Sequence, residues 1–186
     1  MPPKVKVSRE EIINATTQIV RSSGAQAVNA RTVAAALGCS TQPVLSNFET
    51  MDALRYAVVE RADAMCRDYI RRVTESGEFP DYKASGMGYI LFAREEKELF
   101  KLLYMRDRTE ETDTLGLQMS EEMEAMICKN TGLDRETVKL FHLEMWAFVH
   151  GIATMFATSF LDLDRELVSK MLTDMYLGLR KQYEMG

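Results

Sequence analysis

His142, Trp146 and His150 recur at i, i+4 and i+8, which places two imidazoles and an indole on one face of a helix. Those types at that spacing allow two readings. One is a polar, aromatic wall of a small-molecule pocket; the other is a packed core in which one partner satisfies each imidazole. Metal binding needs further ligands. Glu144 points about 160° away around the helix from that face, and no His-Glu-x-x-His pattern is present. Cys39, Cys66 and Cys128 are far apart, odd in number and lack Cys-x-x-Cys spacing, which argues against a disulfide framework or a zinc site. No nucleophile–base pair or carboxylate dyad is readable. We expect no catalytic residue, metal or cofactor, and no enzyme. The 13 methionines either fill irregular cores or line an adaptable apolar pocket, Met105, Met119, Met123 and Met126 being the relevant group.

The elements that position these residues are helices. Four Pro and ten Gly leave room for long ones, and alternating β-branched runs are nearly absent, so the expected class is all-α. Ser8 with Glu11 forms a capping box, with Val7 and Ile12 as its staple, and Gly24 ends the helix it starts. Asn29 caps a second helix, stapled by Val28 and Val33. Thr50 caps a longer one over residues 51–75, closed by Gly77 and Pro80. Helices are expected over 82–94, with Gly86 and Gly88 as weak points, and over 96–106. Residues 107–113 read as a loop, and Leu115, Met119, Met123, Met126 and Ile127 share one side of the next helix. Leu-Asp-Arg-Glu occurs at 133–136 and 163–166, each Asp placed as an N-cap, which starts helices over 134–160 and 164–184.

Residues 32–48 are the most diagnostic. Val33, Ala34 and Leu37 form an apolar face, Gly38 can take the left-handed conformation that ends a helix, and Ser40 can cap the next one. Val44 and Phe48 then repeat at i, i+4. Two short helices joined at Gly38-Cys39-Ser40 are the layout of a helix-turn-helix, whose second helix lies in the major groove of DNA.

The chain has 186 residues, 46% hydrophobic and 27% charged, with a formal net charge of −5, an ordinary folded composition. The charge is unevenly spread. Residues 1–56 hold six Lys/Arg against four acids, whereas the remainder holds 17 against 24. A mildly basic module on an acidic body fits weak, salt-sensitive non-specific DNA affinity. The N-terminus has no apolar run and no stretch approaches ~20 apolar residues, so a cytoplasmic protein without a membrane span is expected. Residues 145–160 carry no charge on any face. A helix apolar all round must be covered on all sides, and a second copy of the chain is the natural cover. We place Phe148, Ile152 and Phe156 with Met171, Met175 and Leu179 at that homodimer interface.

With motif and body in view, the chain resembles the TetR-type (tetracycline-repressor-like) transcriptional regulators over its whole length. The signal runs from Gly24 through Thr32-Val-Ala and Leu37-Gly38 to Phe48-Glu-Thr-Met-Asp-Ala-Leu54. The runs Phe92-Ala-Arg-Glu-Glu-Lys-Glu-Leu-Phe100 and Trp146-Ala-Phe-Val-His-Gly151 resemble one C-terminal subgroup. The resemblance implies a helix-turn-helix DNA-binding domain over 1–52 and a helical ligand-binding and dimerisation domain over 53–186, with about nine helices in all. It implies DNA contacts at Arg31 and Thr32, at Thr41, Gln42, Pro43, Leu45, Ser46 and Asn47, and at Thr50 and Met51. Gln42 and Asn47 can pair with base edges such as adenine N6/N7, Pro43 can pack on a thymine methyl, and Thr41 and Ser46 suit phosphates. Leu45 and Met51 depart from the Tyr and Lys usual there, and Lys4 and Lys6 can compensate along the backbone. The implied function is a homodimeric repressor on a near-palindromic operator, released by a small, largely apolar effector. Phe100, Tyr104, Met105, Met123, His142 and Trp146 are the candidate effector pocket. The alternative reading is a helical enzyme or carrier of an apolar small molecule.

Overall fold

The structure is a computed structural model, and it describes residues 7–106 and 119–184. Among these it is all-helical. The elements are α1 (Arg9–Ser23), a 3-10 turn (Ala25–Ala27), α2 (Ala30–Ala36), α3 (Thr41–Asn47), α4 (Met51–Glu75), α5 (Asp81–Glu95), α6 (Lys97–Tyr104), α7 (Glu121–Thr131), α8 (Arg135–Ala157) and α9 (Arg165–Glu184). Two compact units divide the described residues: 7–67 together with Glu96–Arg106, and Asp68–Glu95 together with 119–184.

The helix ends follow local chemistry. Ser8 Oγ accepts the Glu11 N–H at 3.2 Å while Glu11 accepts the Ser8 N–H at 2.8 Å, so the capping box forms as expected. The Ser8 N–H, and after it the Ser8 hydroxyl at 2.7 Å, hold the Glu11 carboxyl below its usual range. Asp134 Oδ1 accepts the N–H groups of Glu136 and Thr137 at 3.0 and 3.1 Å, and Asp164 caps α9 through the Leu167 N–H at 2.7 Å. Gly132 ends α7 at φ +78°, a region open to glycine at no steric cost. α8 stops at Ala157, three residues short of the expected end. There Ser159 adopts φ +57°, and the Phe160 N–H turns back to Met155 O at 2.9 Å.

In the first unit α1 packs against α2, α3 and α6. Its core is Ile12, Val20, Val33, Val44, Phe48 and Leu54, with Leu99 and Phe100 from α6 fully buried. Arg21 grips Glu96 through two nitrogens, Nε to Oε2 at 2.8 Å, and thereby fixes the start of α6 on α1. In the second unit α5 and α8 form the dominant pair, with α7 and α9 flanking them. Phe141 is fully buried and ringed by Tyr82, Tyr176 and Tyr183.

Gly86 and Gly88 do not break α5. A Cβ on Gly88 would lie 2.9 Å from the Ile70 Cα, and one on Gly86 would lie 3.2 Å from Leu172 Cδ2. Helix propensity is lower by about 1 kcal/mol per glycine, but Gly88 allows close backbone approach between α5 and the end of α4, and Gly86 leaves room for the side chains of Leu172 and Val149. α8 is long and apolar enough to span a membrane by length and composition alone, yet Val138, Phe141, Met145, Val149, Ile152 and Phe156 are buried inside the unit.

Candidate functional site

The α2–turn–α3 segment is built from the inside outward. Asn29 Oδ1 accepts the N–H groups of Arg31 and Thr32 at 3.0 and 3.1 Å. Thr32 Oγ1 accepts the Asn29 N–H at 3.1 Å and donates to Ala27 O at 2.8 Å, so its hydroxyl is already engaged. Gly38 takes φ +63° with open space around it; backbone conformation, not crowding, selects glycine here. The Cys39 N–H closes the turn on Ala34 O at 3.0 Å. Val33 and Val44 are fully buried and clamp α2 to α3. The Arg9 guanidinium lies 4.3 Å from the Phe48 ring centre. Ser40 has the extended backbone of an N-cap, but its hydroxyl makes no capping bond. The usual donor is the N–H of the third helical residue, and that residue is Pro43, which has none.

α3 sorts its polar groups by face. Gln42, Leu45 and Ser46, at i, i+3 and i+4, are exposed, Leu45 at 54%. No protein partner is recorded for the Gln42 amide among the described residues. Ser46 Oγ donates to Pro43 O at 3.2 Å. The Asn47 amide points the other way, donating to Pro43 O at 2.8 Å and Val7 O at 3.4 Å. Thr41, Pro43 and Met51 are half-buried, and Thr50 Oγ1 accepts the Ala53 N–H at 3.0 Å to cap α4. Among the described cations up to residue 56, Arg21 pairs with Glu96, Arg55 with Asp52 and Val28 O, and Arg9 with Phe48 and Asn47 O. Arg31 is exposed and has no side-chain partner among the described residues. It can reach a phosphate without breaking an internal bond. Lys4 and Lys6 lie outside the described residues, as does Leu115.

The His142–Trp146–His150 face packs on α5. Tyr82 OH lies 3.0 Å from His142 Nδ1, and Tyr89 OH lies 2.9 Å from His150 Nδ1. Trp146 stacks on His150 with ring centres 4.8 Å apart and planes 11° apart. Burial lowers both imidazoles from their ordinary pKa, and burial also raises the Tyr82 phenol. Each imidazole therefore meets a tyrosine hydroxyl, and burial disfavours its charged form. Tyr82 and Tyr89 were not expected in this role. Their spacing of seven residues, about two helical turns and close to the eight between His142 and His150, was the available signal. Glu144 faces elsewhere and accepts from Tyr183 OH at 2.7 Å.

The six expected effector residues are divided between the units. Phe100, Tyr104 and Met105 belong to the first, and Met123, His142 and Trp146 to the second. Phe100 is fully buried beside Tyr104. Tyr104 OH lies 3.6 Å from Cys66 Sγ, and burial pushes the Cys66 thiol up to about 11. Met123 packs on the cluster around Ile127 and Phe141. A groove in the second unit is lined by Pro80, Asp81, Glu122, Met126, Lys129 and Asn130, and none of the six reaches it. Of the residues expected at a dimer interface, Ile152 and Phe156 are buried within the unit's own core, while Phe148, Met171, Met175 and Leu179 are half-buried. Leu140, Leu143, Met155, Leu167 and Leu177 are the large apolar side chains that α8 and α9 leave exposed. No group of three or more potential metal ligands occurs among the described residues.

No curated protein matches the chain. A family model described as the tetracyclin repressor-like C-terminal domain matches residues 82–175, which takes in α5 to α8 and the first half of α9. With a match over half its length, this all-helical chain belongs to the tetracycline repressor-like family.

Proposed function

We propose that the protein is a one-component DNA-binding transcriptional regulator, a homodimeric repressor released from a near-palindromic operator by a small, largely apolar effector. The observation that carries this reading is the outward face of α3. Gln42, Leu45 and Ser46 are exposed together on a helix clamped from behind by Val33, Val44 and Phe48, as a reading helix requires. Arg31, Thr41 and the α4 start at Thr50 flank it as phosphate contacts. Regulators are typical of the family, which supports the reading over catalysis. On this reading residues 1–52 bind DNA, and 53–186 bind the effector and a second copy. The apolar side chains exposed on α8 and α9 supply the self-association surface, and placing two reading helices about 34–36 Å apart would match successive major grooves. The effector acts by binding two states with different affinity, typically by about 1–3 kcal/mol.

The test is selection of duplex DNA from a random pool by the purified chain, followed by binding to the selected duplex across a salt series. A sequence preference that persists while affinity falls steeply with salt is expected. Absence of any preference at every salt concentration overturns the reading.

A further inference from the structure

We propose that Leu45 is a base-reading residue that recognises the 5-methyl group of a thymine in the operator, one or two base pairs from the base pair read by Gln42. The inference rests on the DNA-binding reading above and adds to it the chemistry of the sequence that is read. On α3 only part of the polar complement is available to DNA. Asn47, the other side chain able to make a bidentate pair with adenine, has its amide nitrogen turned to Pro43 O and Val7 O at 2.8 and 3.4 Å. Gln42 is exposed, without a protein partner among the described residues, and can present both its acceptor and its donor to adenine N6/N7. Leu45 follows one turn later on the same face.

Leu45 is 54% exposed, whereas Val44 beside it is fully buried. A branched apolar side chain held outward at the centre of a reading helix has no hydrogen bond to offer a phosphate or a base edge. Its affinity for DNA comes from removing apolar surface from water. The major groove displays one apolar group, the thymine C5-methyl. Side chains at i and i+3 are separated by about 5–6 Å at Cβ, and base pairs step by about 3.4 Å, which sets the one-to-two base-pair offset. A half-site with a preferred adenine and a nearby thymine on either strand follows.

The experiment uses the full-length chain and the duplex it selects. Each thymine within two base pairs of the preferred adenine is replaced in turn by deoxyuridine, which removes the methyl and leaves the pairing unchanged. Affinity is measured at one fixed salt concentration. One replacement per half-site is expected to weaken binding about fourfold, the value of one buried methyl group, with the others near neutral. In Leu45→Ala that difference is expected to collapse to within about 1.5-fold, with unchanged thermal stability because the side chain is exposed. Equal binding to all deoxyuridine duplexes, or a loss that persists in Leu45→Ala, overturns the methyl reading while DNA binding itself stands. Failure to select any duplex removes the regulator reading and this inference together.

Discussion

The outward face of α3 and the inward face of α8 carry similar side chains to opposite ends. Gln42 has an amide with no partner among the described residues, and Leu45 an apolar surface that the fold leaves exposed. His142 and His150, which looked no less chemical in sequence, each meet a tyrosine hydroxyl at hydrogen-bond distance and lie half-buried. A buried polar group must find a partner inside the molecule, because leaving it unsatisfied costs about 1–3 kcal/mol. An exposed group can wait for a partner elsewhere. Pairing state is therefore a better guide to function here than residue type. Asn47 and Gln42, both amides on the same short helix, make the point most directly.

The comparison breaks first if the inward region is not the mechanical centre of its unit. Phe141→Ala removes a fully buried ring packed against three tyrosines and is expected to cost about 3–5 kcal/mol in denaturant unfolding. A loss below about 1 kcal/mol would show that the cluster is loosely packed. On the outward side, Gln42→Ala is expected to lower discrimination at one operator position by about 1–3 kcal/mol with no change in melting temperature. A stability loss without a change in base preference would put Gln42 on the wrong side of the comparison. Asn47→Ala sharpens the contrast: it removes internal hydrogen bonds and is expected to cost about 1 kcal/mol of stability, measured by the same unfolding curves. Arg21→Ala, which breaks a pair with Glu96 that is partly open to solvent, is expected to cost less than about 1 kcal/mol.

The smallest expected effect is in acid. His142 and His150 are held below their ordinary pKa of 6.5 by burial, so the unfolded chain binds protons more readily than the folded one. Stability is complete above that ordinary value and declines as pH falls from it toward the lowered folded value. Glu11 and Asp134, held below their usual ranges by N–H bonds, act in a more acidic window. Thermal melts between pH 7 and 5 of the wild type and a His142→Gln, His150→Gln double variant separate the two. The slope in this window is expected to shrink in the variant. An unchanged slope would mean that the Tyr–His pairs do not exclude the proton.

Much of this was legible in the sequence because it is local. Ser8 with Glu11, Asn29, Gly38, Gly132 and Asp134 lie within a few residues of the groups they cap, and side-chain chemistry alone fixes what they do. The exposure of α3 followed from the burial of Val44 and Phe48 at i, i+4. Even Ser40 had its departure written nearby, in the missing N–H of Pro43. Over longer separations the pattern fell silent. Gly86 and Gly88 looked like weak points, but the Ile70 backbone lies close enough to require Gly88, and Leu172 packs tightly against Gly86. Phe100 read as part of a ligand pocket, but α6 packs on α1 and buries it.

The sequence by itself determined the helices and most of their caps, since capping and periodicity act over one or two turns. Tertiary structure alone decided which polar groups are used up. Tyr82 and His142 are 60 residues apart in the chain, and Arg21 and Glu96 are 75 apart. Only the packing of whole helices brings such pairs within about 3 Å, and it adds Val7 O to the bond that Asn47 already makes with Pro43 O inside α3.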